Sequence, residues 1–162
     1  MSTTNPHPTS TNTVQFASVR IIAEDLQPLV RFYEAVTGAD AQWLTEDFVE
    51  LVTPSATVAI SHARRVSFLG QDSPRAAANN SVIYEFLVQD VEALFSRLQV
   101  DFGDDLTVVQ PLTMMPWGNM SLLIRDPDGA LINLYTPVTP EALELQQQRQ
   151  PQLPNTQADR RV

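Results

Sequence analysis

Few side chains in this 162-residue sequence are equipped for chemistry. It has no cysteine, every one of its 10 basic residues is arginine, and its two histidines are His7 and His62. Without cysteine, disulfides, thiolate catalysis and cysteine–zinc sites drop out together. Without lysine, so do Schiff-base chemistry and a P-loop cation. Ser61 and His62 are neighbours on a candidate strand, so their side chains point to opposite faces and cannot form a dyad. Asp104-Asp105 and Asp126/Asp128 fall in turns, where turn chemistry accounts for them. What is left is a set suited to recognition: Arg20, Glu85, Asn133, Tyr135 and the run Met114-Met115-Pro116-Trp117-Gly118. Asn133 offers both donor and acceptor, and Tyr135 a ring and a hydroxyl. Trp117 can stack on a planar or cationic ligand, with Met115 as an adaptable wall; the plainer alternative is packing beneath a loop.

Two copies of one pattern must position these groups. Ser18-Val-Arg-Ile-Ile-Ala-Glu-Asp25-Leu-Gln-Pro-Leu-Val-Arg-Phe-Tyr33 lies over Ile83-Tyr-Glu-Phe-Leu-Val-Gln-Asp90-Val-Glu-Ala-Leu-Phe-Ser-Arg-Leu98 at a constant offset. Each copy is a β-rich run, an Asp at an N-cap position, and a helix with apolar spacing. Leu26, Leu29, Val30 and Tyr33 share one helix face; Val91, Leu94, Phe95 and Leu98 share the other. Three strand candidates follow each helix: Ala41–Leu44, Phe48–Thr53 and Thr57–Ser61, then Leu106–Gln110, Asn119–Arg125 and Ala130–Tyr135. The expected architecture is α+β, with two tandem βαβββ modules (15–63 and 81–138) joined by a polar loop around Arg64–Asn80. Strand alternation puts Ser18, Arg20 and Ile22 on one face and Val19 and Ile21 on the helix side. By the offset, Ile83, Glu85 and Leu87 share the first face. Arg20 and Glu85 then either orient a polar ligand, pair as a structural salt bridge, or reach solvent.

The most specific segment runs from Pro116-Trp117-Gly118 to Leu134-Tyr135. Asp126-Pro127-Asp128-Gly129 sits between two β-rich runs and reads as a hairpin turn. With Asp25-Leu26 through Phe32-Tyr33 and Gln89-Asp90-Val91, in order and at these separations, it resembles the vicinal-oxygen-chelate superfamily. That is the glyoxalase, bleomycin-resistance and extradiol-dioxygenase group. The resemblance covers about 120 residues (roughly 15–138) and implies a curved, partly open mixed β-sheet barrel around a central cavity.

In metal-dependent members four pseudo-symmetric strand positions carry His, Gln or Glu. Here they correspond to Ser18, the zone Ala59–Ser61, Ile83 and Asn133, which lack strong donors. His62 could be a displaced ligand with Glu50, although an ordinary exposed histidine is the simpler reading. The resemblance therefore implies no metal, no cofactor and no catalytic residue. The expected site comprises Arg20, Glu85, Met115, Trp117, Asn133 and Tyr135, binding a small organic ligand in the manner of drug-sequestering, bleomycin-resistance-type members, with a homodimer forming the cleft. The competing reading is an enzyme (lyase, isomerase or dioxygenase) using Glu85, Tyr135 or Arg20 as acid–base groups, or a metal held by His62 and Glu50. A vestigial cavity in an interaction module is a third.

Composition narrows the partners. Nineteen acids against 10 basic residues give a net charge of −9, which argues against nucleic acid and favours cationic ligands or mere solubility. No apolar run is long enough for a membrane span, and a cytoplasmic location is expected. Residues 1–14 are expected to be a disordered tail, and 139–162 a short helix capped by Thr139 followed by a second tail.

Overall fold

Asp25 and Asp90 begin the two helices that organise the chain. The computed structural model describes residues 14–149, so 1–13 and 150–162, most of both expected tails, lie outside the described residues. Helix α1 spans Leu26–Thr37, and the Asp25 carboxylate accepts from the Gln27 N–H at 3.1 Å. Helix α2 spans Val91–Phe102, and Asp90 accepts from the Ala93 N–H at 2.9 Å. Such caps satisfy donors that the first helical turn leaves unpaired. Gly38 ends α1 in the left-handed conformation, where its N–H reaches the Glu34 carbonyl at 2.8 Å.

Each helix backs a four-stranded sheet. In the first, β1 (Ser18–Ala23) runs parallel to β4 (Thr57–His62). Antiparallel β3 (Phe48–Val52) and edge strand β2 (Gln42–Thr45) follow, in the order β1-β4-β3-β2. In the second, β5 (Ile83–Leu87) is parallel to β8 (Leu131–Pro137), with β7 (Asn119–Arg125) and β6 (Thr107–Met114) outside it, in the order β5-β8-β7-β6. The fold is α+β, made of two βαβββ modules whose sheets do not close into a barrel. A third helix, α3 (Pro140–Arg149), follows β8.

One apolar core serves both modules. Leu29, Val30 and Tyr33 of α1 meet Ile21, Val49, Leu51 and Ile60, while Leu94 and Leu98 of α2 meet Leu122, Ile124, Ile132 and Leu134. Each such large apolar side chain contributes about 1.5–3 kcal/mol on burial. Between the modules no backbone ladder forms among the described residues. Side chains do the joining: the buried Tyr33 hydroxyl donates to Asp126 Oδ2 at 2.8 Å, and Arg31 donates to the Asp101 carbonyl at 2.8 Å. The rings of Phe32 and Phe102 lie 5.9 Å apart, and those of Tyr33 and Phe86 6.2 Å.

The connection between the modules differs from the expected polar loop. Residues Ala63–Asp72 form 3-10 turns, kinked at Gly70 (φ 61°, ψ −122°) and anchored by the burial of Val66. Strand β6 continues four residues beyond Gln110 to Met114, with register shifts against β7 on either side of Gln110. Pro111 lacks an N–H for the ladder, which suits such an irregular strand. Among the described residues no helix is long and apolar enough to cross a membrane.

Candidate functional site

Away from the helices, the two sheets present the face predicted by alternation. Ser18 and Arg20 are exposed on β1 while Ile21 and Ala23 are buried, and Ile83, Glu85 and Leu87 are exposed on β5. Register then assembles rows across each sheet. Arg20 lies beside Ala59, and Ala59 beside Glu50. In the second sheet Glu85 lies beside Asn133, Asn133 beside Leu123, and Leu123 beside Gln110. Leu87, Tyr135 and Ser121 form the next row.

Glu85 and Asn133 make the central contact, with the Asn133 amide N–H donating to Glu85 Oε1 at 3.0 Å. The Asn133 carbonyl oxygen is shielded from solvent and has no donor. Burial and the nearby Glu85 carboxylate push the Tyr135 hydroxyl above its usual range.

Arg20 goes elsewhere. Its guanidinium stacks on Phe48 at 5.2 Å, Arg65 stacks on the same ring at 5.3 Å, and neither Arg20 nor Glu85 enters an ion pair among the described residues. The salt bridge entertained from the offset therefore does not form: alternation fixes which face a side chain takes, not the angle between two sheets. Phe48 escaped the sequence reading, although alternation along β3 puts it with Glu50 on this face.

The Pro-Trp-Gly segment is a tight turn, not a lid over packed residues. The Gly118 N–H donates to the Met115 carbonyl at 2.9 Å, and Trp117 is 62% exposed. Met115 Sδ accepts from the Gln110 amide at 3.6 Å, which ties the turn to the Glu85–Asn133 row. Gly118 (φ 91°) lies so close to Thr139 that a Cβ would overlap the Thr139 hydroxyl. That hydroxyl in turn accepts from the Ala142 N–H at 3.3 Å, so the turn is pinned to the start of α3.

The expected positions, Ser18, the zone Ala59–Ser61, Ile83 and Asn133, present hydrocarbon side chains, hydroxyls and one amide, a set that does not fit a divalent ion. Among the described residues no three His, Asp or Glu gather into a ligand set. His62 is partly buried rather than exposed: its Nδ1 accepts from the Arg64 N–H at 3.0 Å and caps the 3-10 segment. Glu50 lies beside Ala59 on β3, not beside His62, which ends β4 opposite Ala23 of β1.

Residues 15–134 match the model of the Glyoxalase/Bleomycin resistance protein/Dioxygenase superfamily. The chain belongs to that superfamily. Solved structures agree on the fold. A glyoxalase/bleomycin resistance protein/dioxygenase family enzyme from Burkholderia phytofirmans shares 16% identity at a TM-score of 0.66, covering 77% of this chain and 100% of that one. A superfamily protein from Nocardioides shares 16% identity at 0.64, covering 82% and 89%. A lactoylglutathione lyase from Agrobacterium tumefaciens shares 19% identity at 0.58, covering 78% and 96%. No curated protein matches this superfamily member.

Within the superfamily fold the six candidate residues separate into groups. Glu85, Asn133 and Tyr135 are brought together on the second sheet, with Met115 and Trp117 on the adjoining turn. Arg20 sits on the first sheet and lines a cavity of about 290 Å³ between the modules. Asp126, read from sequence as turn chemistry alone, also borders that cavity. Its Oδ1 does accept from the N–H groups of Asp128 (3.0 Å) and Ala130 (2.8 Å), but its Oδ2 serves Tyr33. No sequence signal links residues 93 apart.

Proposed function

We propose that this superfamily member is a metal-independent, bleomycin-resistance-type protein that binds small cationic organic molecules and sequesters them without chemistry. The observation that carries the reading is the Glu85–Asn133 pair. Asn133 spends a donor on Glu85, which leaves the pair rich in acceptors, one of them a carbonyl oxygen without a partner. The exposed Glu85 carboxylate is the acceptor of the pair that a ligand's ammonium or amidinium donor reaches, in a charge-assisted hydrogen bond. The net charge of −9 draws such cations toward the protein. Trp117, exposed at the rim, adds a π face, and Met115 an adaptable wall.

Ile83 and Leu87 leave apolar surface on the same face, 50% and 43% exposed, which suits closure of the cleft by a second copy in a homodimer.

The test is a fluorescence titration of the Trp43→Phe variant, whose remaining tryptophan is Trp117, with a metal-free cationic glycopeptide of the bleomycin type. Saturable quenching is expected, weakened about tenfold or more by Glu85→Gln, since a charge-assisted hydrogen bond is lost. An unchanged signal, or a divalent metal co-purifying at one per chain, would overturn the reading.

A further inference from the structure

The cavity between the modules is a second candidate site. Glu85, Asn133, Tyr135, Met115 and Trp117 do not line it. Strand β1 contributes Arg20 and Ile22, the connecting segment Arg75 and Ala77, and the closing hairpin Asp126 and Asp128. Its volume of about 290 Å³ lies at the bottom of the range for ligand pockets, which suits a molecule of metabolite size.

Its charges are separated by element. On the hairpin, Oδ2 of Asp128 is shielded from solvent and has no donor. Burial, Asp126 and Asp25 all push that carboxyl above its ordinary range, the condition of an acid lacking a cation. On the connecting segment, Arg75 is exposed and enters no ion pair among the described residues. Ala77 there is the one non-glycine residue at positive φ among the described residues (55°). That conformation costs an L-residue about 1–2 kcal/mol and persists only where surroundings hold it. Asp126 itself is committed to Tyr33 and two backbone donors, so Asp128 is the acid free to take a ligand.

We propose that this cavity binds a small aminocarboxylate zwitterion, its ammonium on Asp128 and its carboxylate on Arg75. A cation alone would leave Arg75 without a partner, and an anion alone would leave Asp128 so. The proposal is independent of ligand binding at Glu85 and Asn133.

The test is calorimetric titration of the full chain with glycine, β-alanine and γ-aminobutyrate, which step the charge separation, against ethylammonium and acetate as single-charge controls. At least one aminocarboxylate is expected to bind about tenfold or more tightly than either control. Asp128→Asn and Arg75→Gln should each weaken it by a similar factor of about ten. Neither substitution removes a hydrogen bond among the described residues, and Asp128→Asn also relieves a disfavoured charge, so a melting temperature no lower than that of the natural chain verifies folding. Glu85→Gln should leave the affinity unchanged, which separates this site from the concave one. Three results would each overturn the proposal: no binding of any aminocarboxylate, equal binding of ethylammonium or acetate, or affinity indifferent to Asp128→Asn and Arg75→Gln.

Discussion

Replacing Tyr33 with Phe removes one hydroxyl from the centre of the molecule and leaves its ring in place. That hydroxyl, at 2.8 Å, is the donor that serves Asp126 Oδ2, while the hairpin N–H groups serve Oδ1. Asp126 is 4% exposed, so water does not readily replace the lost donor. Loss of a hydrogen bond to a buried charged acceptor costs about 1.5–3 kcal/mol. For a domain of this size about 2 kcal/mol lowers Tm by about 4–8 °C. The loss must also depend on pH. Burial raises the Asp126 carboxyl above its ordinary 3.8, and the Tyr33 hydrogen bond pulls it partly back. Tyr33→Phe therefore raises it further. A folded-state value above the unfolded one means that stability falls as pH rises through the window between them. The destabilisation should be full at about pH 7 and shrink toward about pH 4, where a protonated carboxyl no longer needs the donor. Urea unfolding followed by circular dichroism at both pH values measures it. Equal losses at the two, or a loss below about 0.5 kcal/mol at neutral pH, would refute a charged, water-excluded Asp126.

Four further outcomes are expected. Gly118→Ala forces a side chain at φ 91° into Thr139, disturbs the α3 cap and should cost about 2–3 kcal/mol by urea unfolding. Gly129→Ala, at φ 88° with open space around it, should cost only about 1–2 kcal/mol. Asp47 is held well below the usual carboxylate range by hydrogen bonds from Thr45, Arg64 and Arg65. Its stabilising effect is present above 3.8 and lost as pH falls below that, so the stability gap between the natural chain and Asp47→Asn should close in acid titrations. Trp117→Ala should change stability by less than about 0.5 kcal/mol in thermal melts, because that side chain is largely exposed.

The repeat carried most of the fold. Asp25 and Asp90 cap their helices, the constant offset relates Arg20 to Glu85, and the parallel register then sets Arg20 beside Ala59 and Glu85 beside Asn133. These features are local or periodic, and a linear pattern records them. The connecting segment was harder, because its 3-10 turns carry one buried apolar side chain, Val66, and so have no periodic apolar pattern to read. The site divides in the same way. Face and neighbour along a strand are periodic, so Glu85, Asn133 and Tyr135 were legible as a group. Whether Arg20 joins them depends on how two sheets meet, which Tyr33, Asp126 and the paired Phe rings decide. The drift of β6 past Gln110, which brings that amide to Met115, reflects a strand irregularity that no period predicts.

The lack of a ladder between the sheets has a consequence for assembly. Every strand pairs inside its own module, and the hydrogen bonds across the seam come from the Tyr33 and Arg31 side chains. Two copies can therefore exchange modules, each completing the other's seam, without breaking one strand-to-strand hydrogen bond. The backbone link between the modules is the connecting segment, whose kink at Gly70 sets the chain's direction. A change there can redirect one module relative to the other with every strand pairing of both sheets left intact.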